Sequence, residues 1–381
     1  MTIVLHEIKK VFGLRMVIML LAINVVFYFL FIQFYFQHFP NGNPDTEIHK
    51  ASIEMKKDYG THMDNAEYEL FRQKYDETIE KAEQFMKTDQ QFMDAGITTY
   101  EQFYNSDYNN EQLNKLHNYA VFESDTELFW ELQARRYMIE RYENSEKYPY
   151  NAYGEVDAKQ QNRMEKHVAS DEGDSIFTDV VFSNYMSLII YMTVLIGLSI
   201  LFMVSPIFLH DKRSKLIHLQ YTARIGRRLF LRKLTAAMIS TLLIVTVQLG
   251  VFFLMYSRLG TGLFLDSGIN SIFNIGYFWY DLTFGQYIGL TVAAIYALSL
   301  ITAVFAAWIS SIAPNYMVII GLQIPYAFLM FGWMEKLLIG RLADIYYAQH
   351  VQPLTYLLLA AGAVLLFVLR WRSERRADLL V

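Results

Sequence analysis

The chain has 381 residues, 54% of them hydrophobic, with 33 Lys and Arg against 38 Asp and Glu and a formal net charge of −5. Together with a positive mean hydropathy, this excludes an ordinary soluble protein and points to the bilayer as solvent. Cys is absent, which excludes disulfides, thiolate metal sites and redox motifs; a cell-surface domain without disulfides fits a bacterium more readily than an animal cell.

Crossing the hydrocarbon layer takes about 20 mainly apolar residues in a helix. Residues 16–36 form the first such run, 21 residues without a charge. Lys9, Lys10 and Arg15 before it resemble the positive start of a signal peptide. The run is too long for one, however, and no A-x-A site follows it, so a retained anchor is expected.

Between residues 37 and 175 lie 29 of the acids and 15 basic residues, a net charge near −14. Residues 37–180 are expected to form an acidic, helical, extracytoplasmic domain. Asp64 with Glu67 three residues on makes a capping box, and Tyr68, Phe71, Tyr75 and Ile79 follow at helical spacing. Glu77 with Lys81 and Glu83 with Lys87 add i,i+4 pairs. Thr98 with Glu101, and Ser124 with Glu127, repeat the capping signature; Leu128, Leu132, Arg136 and Ile139 line one side of the helix after Ser124. NEQLNKLHNYAVF is a shorter helix candidate. No alternating strand pattern, calcium loop or repeat stands out. The aromatic stripes read as packing first and as a ligand platform second.

Residues 181–381 hold five more apolar runs, at 186–209, 234–256, 287–310, 317–334 and 354–369. Pro325 interrupts the fifth, and the sixth starts after Pro353 and stops at Arg370. The expected fold is an all-α membrane protein of six transmembrane helices, with the large helical extracytoplasmic insertion between helices 1 and 2. With the N-terminus inside, the inside segments hold fifteen Lys and Arg: three before the first span, eight in residues 210–233, and Arg370, Arg372, Arg375 and Arg376 at the end. The short outside loops hold three, Arg258, Lys336 and Arg341. The excess marks the cytoplasmic side and places both termini there, in a multi-pass protein of the cell membrane.

Catalytic constellations are missing. There is no G-x-x-x-x-G-K-[ST] loop, H-E-x-x-H or G-x-S-x-G, and the nine His show no ligand spacing. No catalytic residue, cofactor site or metal site is expected, and the chain reads as a non-enzyme. All six runs lack Asp, Glu, Lys and Arg, which argues against an ion-driven transporter or an intramembrane aspartyl protease. The strongest polar groups in the runs are Gln248 and Gln323, each bonding a neighbouring helix or touching a substrate. With Pro325, which frees a backbone carbonyl, they are the candidates for the translocation path.

The loop 210–233 carries eight basic residues against one acid, Asp211. It is a topology signal that also holds anionic membrane lipids; a loop tied to the membrane at both ends is a poor nucleic-acid binder. Its charges are unevenly spread. LIHLQYTA, without formal charge, exposes Leu216, Leu219 and Tyr221 between Lys215 and Arg224, and Thr222 can cap a second helix. The pattern fits a docking helix for another protein.

Asp211, Lys212, Arg213, Ser214, Leu216, Leu219, Thr222, Arg224 and Lys233 together resemble the coupling loop of the permease subunit of an ATP-binding cassette exporter of the type-2 permease class. Ser214 stands near where that family often has Gly. MTIVLHEIKKVFGLR resembles the family's cytoplasmic amphipathic helix, here residues 1–15, and DLTFGQYIG resembles its lead into the fourth span. The stretch TGLFLDSGINSIFNIGYFWYD before it is expected at the outer membrane interface. The resemblance implies a partner ATPase that carries ATP and magnesium, with Lys215, Leu216, Leu219, Tyr221, Thr222 and Arg224 as the coupling residues. It also implies a second permease subunit, the same chain or a related one, and export of an unidentified substrate. An alternative from another class is a membrane-anchored sensor or immunity protein that binds a peptide or envelope ligand through its extracytoplasmic domain.

Overall fold

A computed structural model describes residues 2–107, 109–145, 156–168, 171–213 and 228–376. Among them the protein is helical, with two isolated bridge pairs, His62 with Ser175 and Gly268 with Thr283, and no strand. Six helices are long and apolar enough to cross a membrane: Leu14–Gln37, Asp179–Asp211, Leu229–Leu259, Phe284–Ile312, Tyr316–Gly340 and Val351–Arg375. Helices serve because a bilayer offers no water to unpaired backbone N–H and C=O groups, and an α-helix pairs them within itself. A shorter helix, Thr2–Val11, precedes the first span. The sixth helix starts at Val351 and takes Pro353 into its first turn, where the missing N–H costs nothing.

The chain divides into two compact units, Met1–Gln37 with Tyr185–Gly260 and Tyr287–Val381, and His38–Asn184 with Thr261–Gln286. In the first, the second span is the centre: 67% of its apolar window is buried, against 6% for the first span and 11% for the sixth. Gly197 in that span lies against the ring of Phe331, where a Cβ would overlap the ring. Phe331 belongs to a π-helical turn, Phe328–Trp333, just after Pro325. Pro325 lacks the N–H of a regular turn, and the wider turn follows it.

In the second unit three helices, Asp45–Tyr59, Asn65–Thr88 and Leu128–Glu143, pack around Met55, Phe71, Met138, Ile176 and Phe273. A neighbouring cluster joins Met86, Phe92, Phe103, Phe129 and Leu132. Arg135 is buried between Glu54 and Glu131, at 2.7 and 2.8 Å. The capping box at Asp64 is present in both directions, 2.8 Å from the Glu67 N–H to Asp64 and 2.9 Å from the Asp64 N–H to Glu67.

Two other caps differ from expectation. The cap of the short helix Tyr100–Tyr104 is Thr99, which accepts from the Gln102 N–H, while Gln102 accepts from the Thr98 N–H. Ser124 does not cap at all: it ends the preceding π-helical turn, Tyr119–Glu123, and donates back to the Ala120 carbonyl at 2.7 Å. The helix starts later, at Leu128, whose N–H reaches Thr126 Oγ1. A hydroxyl that bonds its preceding turn competes with a capping role.

The segment Thr261–Gln286 completes the second unit. Phe264, Ile269, Phe273, Tyr277 and Phe278 of the stretch TGLFLDSGINSIFNIGYFWYD are buried within the second unit. Arg141 donates to the Asn274 carbonyl at 2.7 Å, Lys56 pairs with Asp266 at 2.9 Å, and Arg163 pairs with Asp281.

Two buried imidazoles make this unit sensitive to acid. Burial lowers His49, on helix Asp45–Tyr59, to about 4. His167 is also lowered to about 4, by burial and then by Arg163. Unfolded imidazole binds its proton near pH 6.5, so the stability contributed by both neutral rings is complete above that pH and is lost as pH falls towards 4. Each loses on the order of 2 kcal/mol by pH 5, where most carboxylates are still ionised. The thermal midpoint of the full chain should drop between pH 7 and pH 5, and less so in His49→Phe; an unchanged midpoint would show that these rings are hydrated.

Candidate functional site

The helix Thr2–Val11 packs along the third span and ends in an ion cluster. Lys233 Nζ lies 2.9 Å from Glu7 Oε2 and 2.6 Å from Asp211 Oδ2, and donates to the Ile207 carbonyl at 2.9 Å. Three acceptors thus meet the three donors of one ammonium. The side chains of Lys233, Glu7 and Asp211 are only 3%, 5% and 2% exposed. Lys10 completes the cluster, 2.9 Å from Glu7 and 3.3 Å from Asp211. Burial alone lowers its affinity for a proton, but the two carboxylates outweigh that and raise it.

Asp211 lies near the end of helix Pro206–Arg213 and Lys233 near the start of helix Leu229–Tyr256. The cluster therefore joins the two ends of the basic loop to each other and to the N-terminal helix. The coupling residues read from the sequence, Lys215, Leu216, Leu219, Tyr221, Thr222 and Arg224, fall outside the described residues.

Just before Asp211 the second span breaks. Helix Asp179–Val204 stops and Pro206 starts the next one. Side chains take over from the backbone there: Gln323 Nε2 donates to Ser205 Oγ, Ser310 Oγ donates to the Ser205 carbonyl, and the Phe208 N–H donates to Ser310 Oγ at 3.1 Å. Gln323 thus bonds a neighbouring helix. At the end of the sixth span, Arg370 donates to the Ser311 carbonyl at the end of the fourth, at 2.9 Å, where a cation also meets the negative end of the helix dipole.

Gln248 has a different setting. It borders a cavity of about 850 Å³ between the first and third spans, lined chiefly by Leu20, Leu21, Val25, Leu243, Val247 and Val251. Its Nε2 donates to Asn24 Oδ1 at 2.7 Å and to Ser199 Oγ at 2.9 Å, so one amide links the first three spans. The structure does not bring Gln248 and Gln323 to one path.

Sequence reasoning missed Glu7, Asn24, Ser199 and Ser205. Glu7 had a signal, an acid three residues before Lys10 on an amphipathic helix. Asn24 had the same signal as the two glutamines, an amide within an apolar run, whereas Ser199 had little.

Removal of one member should expose the tension in the ion cluster. Lys233→Met leaves Glu7 and Asp211 buried with Lys10 alone, and loss of one partner of a buried pair costs about 3–5 kcal/mol. A double-mutant cycle of Glu7→Gln and Lys233→Met, read as thermal unfolding in detergent, should show strong coupling. Additive effects would mean that the contact carries no energy.

Among known families, the one described as ABC-2 family transporter protein matches residues 14–334. No curated protein and no solved structure matches the chain. The matched region takes in the first four spans, the insertion and most of the fifth span. That is most of the chain, and the protein belongs to the ABC-2 family of transporter permeases, multi-pass membrane components of ATP-binding cassette transporters that work with a separate ATPase subunit.

Proposed function

We propose that this chain is the permease of an ATP-driven exporter, coupled to its ATPase through the loop between the second and third spans. The single observation behind the reading is the buried cluster of Glu7, Asp211 and Lys233. Because the two ends of the loop are held together and to the N-terminal helix, a push on the loop reaches two spans and that helix as one body. Such an element, with two positions biased by a partner, is what transmission between subunits requires.

The uncharged centre of the loop, Leu216, Leu219 and Tyr221, makes the contact, with Lys215, Thr222 and Arg224 beside it. The flanking cations hold anionic lipid headgroups. ATP and magnesium belong to the partner ATPase, and a second permease subunit completes the assembly. Both termini and the loop face the cytoplasm, and the acidic insertion faces outside, in keeping with the fifteen-to-three distribution of Lys and Arg.

Apolar anchors dominate interfaces, and rim charges contribute little. Replacement of Leu216, Leu219 or Tyr221 by Asp, one at a time, should leave membrane insertion intact and abolish co-purification of the ATPase. Neutralising Arg227, Arg228 and Arg232 together, with the buried Lys233 left in place, should disturb insertion first. Full ATPase recovery with the Asp variants would refute docking by this loop.

Orientation has its own test, free of background because the chain has no native Cys. An impermeant thiol reagent should label Asn110→Cys in intact cells and label Ser373→Cys only after the membrane is opened. The reverse pattern would invert the topology.

A further inference from the structure

The end of the membrane unit that carries residues 1–15, 210–233 and 370–376 is rich in cations and nearly empty of acids. Fifteen Lys and Arg fall there against Glu7, Asp211, Glu374 and Asp378. Glu7 and Asp211 are taken up by Lys10 and Lys233, and Glu374 by Arg370; Asp378 lies outside the described residues. Arg228, Arg232 and Arg372 are exposed and form no ion pair among the described residues. With Asp378 alone left over, most of their counter-charge has to come from outside the chain.

These arginines gather about one aromatic contact. Phe230, in the first turn of helix Leu229–Tyr256, is buried against Phe208, Phe367 and Trp371, whose ring centroids lie 5.1, 6.3 and 5.9 Å from its own. The start of the third span thus meets the end of the sixth. Arg228 and Arg232, four residues apart, share one face of the third span, and Arg372 and Arg375, three apart, share one face of the sixth. The Arg375 guanidinium lies 6.0 Å from the Trp371 ring. Two arginine pairs, one on each helix, therefore lie within about one turn of a single contact. Away from the cations both helices turn apolar: Leu365 and Leu369 of the sixth span are more than half exposed, and Ile239 and Leu242 of the third are exposed too.

We propose that this junction binds an anionic phospholipid with two phosphodiester groups, one held by Arg228 and Arg232 and the other by Arg372 and Arg375. Guanidinium groups suit phosphate because their N–H donors meet its oxygens in pairs. Basic pockets between spans at the headgroup level, where Trp is also favoured, are the usual form of such a seat. The exposed leucines beyond receive the acyl chains, a contact that neither a soluble anion nor an acidic protein makes. The proposal rests on the reading of the loop's flanking cations as lipid-holding and deepens it, since it names the lipid class and adds the sixth span.

The full-length chain, stripped of lipid in detergent and without ATPase, is titrated in native mass spectrometry with cardiolipin, which has two phosphates, with phosphatidylglycerol, which has one, and with zwitterionic phosphatidylcholine. Cardiolipin should bind about tenfold more tightly than phosphatidylglycerol, the order expected for one further phosphate held by two arginines, and phosphatidylcholine least. Arg372→Gln with Arg375→Gln should bring cardiolipin down to the level of phosphatidylglycerol, although its acyl chains are unchanged. The same loss of charge in Lys9→Gln with Arg15→Gln should leave the preference in place. If the arginine variant fails to insert, a cardiolipin with a diazirine beside its headgroup decides on the native chain, where peptides covering residues 228–235 and 367–376 should carry the label.

Equal affinity for cardiolipin and phosphatidylglycerol in the native chain, an undiminished preference in the arginine variant, or label confined to other peptides would overturn the proposal. So would displacement of the lipid by millimolar inorganic phosphate, which would make this a site for a soluble anion. Loss of ATPase recovery in the arginine variant with lipid binding unchanged would instead assign the junction to the ATPase contact, and would overturn it as well. Lipid binding is measured without ATPase, and Leu216→Asp tests docking without touching these arginines, so failure here and failure of the exporter reading remain separate.

Discussion

The ammonium of Lys233 sets the terms for the membrane unit. A charge this deeply buried persists only with its donors satisfied and its sign compensated. Here the compensation comes from three places in the chain: Glu7 from the N-terminal helix, and Asp211 and the Ile207 carbonyl from the end of the second span. None can move far without stranding the others. The N-terminal helix is thereby locked to the third span by charge as well as by packing, and Asp211 and Lys233 are held at one point.

The same accounting governs the neutral polar groups of the spans. A membrane helix interrupted by Pro206 has lost part of its backbone pairing, and Ser205, Ser310 and Gln323 make up the loss from three different helices. Bonds of this kind are easier to exchange than a continuous backbone ladder, because a hydroxyl or amide can find another partner by a rotamer change. The break lies a few residues before Asp211. Rigid fixation at the loop and exchangeable bonding just above it therefore follow each other along one helix, an arrangement suited to a segment that pivots as a body.

Much of this architecture was legible from residue type and spacing. Six apolar runs gave six helices because the bilayer leaves few alternatives, and the reciprocal Asp64–Glu67 cap formed because both partners lie within one turn. What failed was the choice among competing local bonds: Ser124 turned back to Ala120, and the cap at residues 98–102 moved by one position. Helix adjacency was also out of reach. Gln248 and Gln323 look alike in sequence, each a lone amide in an apolar run. Only the packing assigns one to a cavity beside Asn24 and Ser199 and the other to a helix break, since hydropathy gives the length of a span and says nothing about its neighbours.

The second unit shows how a domain boundary can hide in a sequence. Residues 37–180 read as an acidic helical domain because the acidic, polar composition ends there. Yet the core around Met55, Phe71 and Met138 includes Ile272 and Phe273, which come 96 and 97 residues after Ile176 in the chain and are separated from it by two membrane spans. Buried Arg141 finds its acceptor at the Asn274 carbonyl of the same late segment. The aromatic residues of that stretch supply part of this core, a role that composition alone does not reveal, since Trp and Tyr are equally at home in the headgroup region. Since residues 38–184 lack part of their own core, the unit cannot be complete until the third span has been made and the chain has returned. Folding of this unit is therefore tied to synthesis of the second and third spans, and the unit is held by two chain segments.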